Sequence, residues 1–411
     1  MKVKLFLLGI CIMCFFPRVV FASDNLEARI GNKYYDTLEL AVAAASSDDV
    51  IYLMNDVSLD KTLEINKIIH INLNGKNVVA PEKVFLVQGG TLELTGKGKI
   101  METKPNYGAI MVKGSSNSLE KDYSAVSVGS DVVLEGWAGV FVQHNNSTAY
   151  GIKVNVDGTI YSKDDILGSK GSGIYVNGNI KHTNNAPVIN LSETAKIFST
   201  GVGIYAAGYS SYYINGAHIE GEEAGLGIKS GSFQIVDGTI LGTGLDKTPT
   251  SGNNNGINPS GTAIQIESNN GYKGNIDLNI LDGTFESNHS NVLYEYVVNG
   301  ADTKVKDINI SGGTFNSKDN KDVIVMSSSF QNTFDNFITG GTYSSSPDAY
   351  LDIDYHSIKK DGMYQVVSDD VSVFLETSGN SSSILKIVII CGIILMLVTG
   401  IYLWKNKIVR F

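Results

Sequence analysis

Cysteine is nearly absent from this chain, and where it occurs it lies in the two apolar ends. Cys11 and Cys14 sit near the start and Cys391 near the finish, so residues 23–383 have none. That excludes a disulfide framework and a cysteine-based metal site from the body of the chain. Its roughly 360 residues must be held by core burial and hydrogen bonding, for which that length is ample. Arginine is almost as scarce: Arg18, Arg29 and Arg410 are all there are, and Arg29 alone falls in residues 23–383. Proline numbers 7 in 411 residues, and long amphipathic patterns are few.

Charge is one-sided. Seven of the 32 basic residues lie in the two ends, which leaves 25 against 42 acidic ones, a net charge of −17 in the body. Such a surface repels nucleic acid, and anionic polysaccharide too unless cations intervene.

The two ends read as targeting and anchoring segments. Lys2 and Lys4, the apolar run Leu5 to Phe16 and the small-residue site at Val20-Phe21-Ala22 follow the order of a secretory signal, residues 1–22. Residues 384–404 are apolar apart from Lys386, which can snorkel, and reach the length of about 20 residues that a membrane helix needs. Tyr402 and Trp404 suit an aromatic belt, and Lys405, Lys407 and Arg410 suit a cytoplasmic tail over 405–411. The expected placement is a single-pass cell-membrane protein with an extracellular body.

Within the body, glycine is abundant, 44 residues, and closes short β-rich runs together with Asn and Asp. One element recurs as Val156-Asp157-Gly158-Thr159-Ile160, Val236-Asp237-Gly238-Thr239-Ile240 and Leu281-Asp282-Gly283-Thr284-Phe285. It returns as Ser311-Gly312-Gly313-Thr314-Phe315 and Thr339-Gly340-Gly341-Thr342-Tyr343. A second sets a small residue before alternating apolars, as in Gly173-Ile174-Tyr175-Val176 and Gly203-Ile204-Tyr205-Ala206. Units that cannot bury an apolar face alone do so by stacking, which predicts a solenoid. The fold class expected is all-β: a right-handed parallel β-helix over 50–367, of about eleven or twelve coils and roughly 50–60 Å. Ile308, Ile310 and Phe315 should face in, and Asn309 and Ser311 out. A set of β-sandwich domains is the alternative.

Solenoid ends need caps. Residues 23–49 carry a short helical pattern through Leu38, Val42 and Ala45, with Asp36 as the expected N-cap and Glu39 completing a capping box. Tyr350 to Val367 reads as a closing hairpin turning at Asp361-Gly362. Residues 368–383 form a polar linker to the membrane. Residues 145–148 and Lys247 to Asn258 read as projecting loops.

The order Tyr34-Tyr35-Asp36-Thr37-Leu38-Glu39, then Asp49-Val50-Ile51-Tyr52-Leu53, then Ile69-His70-Ile71-Asn72-Leu73-Asn74-Gly75 resembles the opening of pectate-lyase-like β-helix proteins on the surface of Firmicutes and related Gram-positive bacteria. The Gly-Gly-Thr-aromatic repeats and the ending Asp361-Gly362-Met363-Tyr364 match the same group. The resemblance implies an adhesin-like surface protein. No Leu-Pro-x-Thr-Gly sorting signal precedes the apolar segment, so the helix itself is the expected anchor. β-Helices also host polysaccharide lyases and hydrolases. The lyase mechanism wants an arginine base, yet Arg29 lies before the cap helix, and the hydrolase Gly-His-Gly and Arg-x-Lys signatures are missing.

Candidate chemistry is therefore thin. Asp164-Asp165 is the best carboxylate pair, but neighbours on a strand point to opposite faces, so a turn is the expectation. The six histidines have no ligand spacing, and no metal or cofactor is expected. Exposed tyrosine offers contact area with a polar tip. Tyr209, Tyr212 and Tyr213 form the expected binding surface, with stacked aromatic ladders as the other reading of the tyrosines. The expected partners are the membrane and an extracellular glycan or a host or neighbour-cell protein. A membrane-anchored polysaccharide lyase or glycoside hydrolase is the alternative.

Overall fold

Strict alternation along short strands decides which side chains go inside. The computed structural model describes residues 26–114, 124–143, 151–178, 185–247, 260–298, 301–334 and 336–369. The expected signal peptide, membrane helix and tail lie outside these residues, as do nearly all of the linker and of the projecting loops. Among the described residues no helix is long and apolar enough to cross a membrane.

The chain winds through three strand positions per coil, and each strand pairs in parallel with its counterpart one coil away. The second position runs in register as Val57, Val78, Ile100, Leu134, Ile160, Ile197, Ile219, Ile240, Phe285, Phe315 and Tyr343. Every member of that row is buried. The first position stacks Ile69 through Tyr212 and Phe233 to Ile308, and the third stacks Leu63 through Ile204 to Ile324. These parallel ladders give a β-solenoid, not sandwiches of antiparallel strands. Strands Ser211–Gly221 and Gly231–Gly242 run through the corner between the first two positions, which joins those into one 23-stranded sheet. The third position forms a separate sheet of 10 strands.

The recurring Asp-Gly-Thr and Gly-Gly-Thr elements mark the corner before the second position. Gly283, Gly313 and Gly341 have φ of 131°, 99° and 100°. A Cβ on Gly341 would also meet the Gly313 carbonyl oxygen at 2.9 Å, so stacked corners exclude a side chain twice over. The aromatics that follow stack inside: Phe285 on Phe315 at 4.6 Å and Phe315 on Tyr343 at 4.8 Å. Ile308, Ile310 and Phe315 are buried, while Asn309 is half-buried and Ser311 exposed, as alternation requires.

Both ends are covered. Strand Ala28–Ile30 pairs antiparallel with Lys33–Tyr35 and with Val50–Leu53. Helix α1 (Leu38–Ala44) packs beside them, burying Leu38, Ala41 and Val42. Its N-cap is Thr37, not Asp36: the Leu40 N–H donates to Thr37 Oγ1 at 3.3 Å. The Leu38 N–H donates instead to Glu27 Oε2 at 2.8 Å, so the Leu38 and Leu40 donors of the first turn are met without Asp36. At the far end helix α2 (Ser328–Gln331) inserts Phe330, which packs with Phe337 and Phe334. The hairpin Tyr355–Lys360 and Met363–Ser368 closes the rod. Asp361 and Gly362 both have positive φ, 52° and 86°, the twist a two-residue hairpin turn needs.

Candidate functional site

Of the three tyrosines expected to form a binding surface, one is in the core. Tyr212 alternates with Ile214, points inward and is 1% exposed, stacked on Phe233 at 4.2 Å. That period-2 pairing was the signal that excludes it from a surface role. Tyr213 points the other way and is 46% exposed. Tyr209 is half-buried at the preceding turn, and burial raises its phenol pKa. The structure therefore does not bring the three together on one surface. Tyr205 and Tyr296 are likewise buried, and Tyr294 is half-buried.

Tyr213 belongs to an outward row of the first position. Asn155, Asn190, Tyr213, Gln234, Asn279 and Asn309 stack in register. The Asn190 amide donates to Asn155 at 2.8 Å, and Asn309 to Asn279 at 2.9 Å. Around the corner, Tyr161, which is exposed, stacks on Phe198 at 5.3 Å. Amide ladders and ring stacks keep these side chains ordered on a flat surface.

Asp164 and Asp165 lie in the turn region after strand Thr159–Ser162 and meet different partners. Asp165 accepts from the Ser169 N–H, which chiefly holds its pKa down, and from the Leu167 N–H, and is a turn residue. Asp164 and Glu222 both approach Lys170 Nζ, at 3.5 and 2.9 Å. Burial raises the Glu223 pKa beside them, against the pull of Lys170 and Lys247. Each histidine among the described residues meets one carboxylate: His70 with Glu93, His218 with Glu220, His289 with Asp319 and His356 with Asp369. No group of three or more potential metal ligands occurs among the described residues. Arg29 lies at the capped end, its guanidinium 4.4 Å from the Tyr52 ring centre.

A second dry layer lies on the outer side of the third sheet. Met111, Phe141, Tyr175 and Tyr205 stack there in register, with Tyr175 on Tyr205 at 4.6 Å. Next to them Lys229 and Glu267 are both 0% exposed. Lys229 follows strand Ala224–Ile228, and Glu267 lies on the neighbouring strand Thr262–Asn269. Lys229 Nζ donates to Glu267 Oε1 at 2.9 Å and to the Tyr272 hydroxyl at 3.2 Å. The Asn269 amide donates to that same Oε1 at 2.9 Å, and the Tyr296 hydroxyl donates to Oε2 at 2.7 Å. The Gly271 N–H donates to Asn269 Oδ1 at 2.9 Å. Lys304 Nζ donates to the carbonyls of Tyr272 and Lys229 at 2.8 and 3.2 Å.

Burial lowers the Lys229 pKa, opposed by Glu267. Burial first, then Lys273, pushes Lys304 down to about 8. Burial pushes Tyr272 up to about 12 and Tyr205 higher still. Sequence alone hides this cluster, because Lys229, Glu267 and Asn269 occupy ordinary outward positions.

Compared with family models, with curated proteins and with solved structures, the chain matches none.

Proposed function

We propose that this chain is a non-catalytic, membrane-anchored bacterial surface protein, adhesin-like, whose right-handed parallel β-helix presents a binding face to extracellular glycan or protein. The observation that carries the reading is the outward amide row with Tyr213 at its middle. Amides pair with sugar hydroxyls, and an exposed ring offers a stacking surface at low entropic cost. The chain's net charge of −10 argues for neutral glycan or protein over nucleic acid. The signal-like start and the apolar segment 384–404 support export and anchoring.

A glycan array probed with the detergent-solubilised full chain tests this. Tyr213→Ala should weaken binding at least about tenfold, equivalent to about 1.4 kcal/mol, with folding intact. Unchanged binding to glycans and to cells would sink it. The second reading, a carbohydrate-active enzyme, is favoured by the cluster of Asp164, Glu222 and Glu223 at Lys170. Burial raises the Glu223 pKa, and a carboxyl whose pKa is raised among other carboxyls suits acid–base work. Sugar or unsaturated uronate release that disappears in Glu223→Gln would replace the first reading with that one.

A further inference from the structure

The buried cluster on the third sheet holds a lysine, an asparagine and a carboxylate together. Ile228 and Ile266 are register partners on parallel strands, which sets Lys229 beside Glu267 and Asn269 two residues on, on the same side. Lys229 Nζ and Asn269 Nδ2 both donate to Glu267 Oε1 at 2.9 Å, so the two nitrogens are neighbours across one oxygen. With the Gly271 N–H on Oδ1, the asparagine is held with its amide nitrogen toward Glu267 and its carbonyl polarised. All three side chains are 0% exposed, so water does not compete as a nucleophile.

We propose that Lys229 and Asn269 join in an intramolecular isopeptide bond, formed by the folded protein itself with Glu267 as the proton shuttle. The neutral amine of Lys229 attacks Asn269 Cγ, and the Nζ–Cγ bond forms. The Gly271 N–H faces the oxyanion that develops on Oδ1. Glu267 takes a proton from Nζ and passes it to Nδ2. The Cγ–Nδ2 bond then breaks and ammonia leaves. One amide is made and one is lost, with no oxidant or reductant. Burial, which disfavours the charged amine, supplies the nucleophile. Enforced proximity replaces an external activating group. The bond would staple two neighbouring coils, tying the residue after strand Ala224–Ile228 to the end of strand Thr262–Asn269, whatever the rod binds.

Tryptic peptide mass mapping of the denatured full chain tests the proposal. Trypsin does not cut after an acylated lysine, so the expected product is residues 197–247 joined to 248–273, lighter than the two together by one ammonia. Glu267→Gln should abolish the joined product. Asn269→Asp, with Glu267 in place, should keep the link by losing water, giving a joined product of the wild-type mass. Recovery of 197–229, 230–247 and 248–273 as separate peptides from folded wild-type protein overturns the proposal. Linkage that persists undiminished in Glu267→Gln overturns the role of Glu267. If that variant fails to fold, the wild-type map decides alone.

Discussion

The two sides of strand Thr262–Asn269 are both dry, yet they are held by different forces. Inward, Ile264 continues an apolar row on to Leu293, and Ile266 pairs with Ile228 on one side and with the buried Glu295 on the next coil. Outward, Gln265, Glu267 and Asn269 are equally buried but polar, and each is hydrogen-bonded. On the inner side a side chain is held by volume and shape, so a small deletion costs a small amount. On the outer side a buried charge is tolerable only while its partner is present. Burial alone therefore does not say how a position responds to change.

Replacing Glu267 by Gln makes the largest expected break in that comparison. The change nearly preserves shape but leaves Lys229 unlinked to Asn269, a buried amine with no counter-charge beside it. It should cost about 3–5 kcal/mol, the range for removing one partner of a buried pair. Ile266→Val, one residue away on the inner side, removes a methyl group and should cost about 0.5–1.5 kcal/mol. Urea denaturation of both variants checks the order. A Glu267→Gln cost at or below that of Ile266→Val would show that the outer layer is solvated in practice.

The pH response sharpens the same contrast. The folded chain holds Lys304 down to about 8, against an ordinary value of 10.5. Between those values the unfolded chain binds more protons than the folded one, so stability rises with pH across that window. Below about 8 the cost of charging the half-buried amine is fully present. Urea midpoints measured from pH 7.5 to 10.5 should climb for the wild type and climb less for Lys304→Met. Parallel curves would mean that Lys304 keeps its charge when folded and that this edge of the outer layer is open to water.

These differences explain what could be read from the residues. The inner rows were legible because period-2 alternation and the Gly-Thr-aromatic corners repeat with the coil, and stacking leaves such a pattern little else to do. Even Tyr212 follows that rule through Ile214, and its expected surface role failed because three nearby tyrosines were grouped by sequence, not by face. The outer layer was not legible. Lys229, Glu267 and Asn269 look like solvent-facing residues until Tyr272, carried by the turn after Asn269, donors from the next coil and Lys304 close over them. The amide row around Tyr213 was hidden similarly, since its members lie 21 to 45 residues apart and meet only through register.

The N-terminal cap offers the mildest test, because there polar groups serve the backbone without being buried. Asp36 and Thr37 are adjacent, and either residue type makes a good N-cap. Thr37 has extended backbone angles and its hydroxyl reaches the Leu40 N–H, while Asp36 is exposed with Glu27 already serving Leu38. Thr37→Ala should therefore cost about 1 kcal/mol, with Thr37→Ser recovering most of it. Asp36→Ala should stay within about 0.5 kcal/mol of wild type, as for a surface change that breaks no contact. Thermal or urea unfolding of the three variants separates these outcomes. A larger loss at Asp36 than at Thr37 would move the helix start back by one residue and shift α1 against strand Ala28–Ile30.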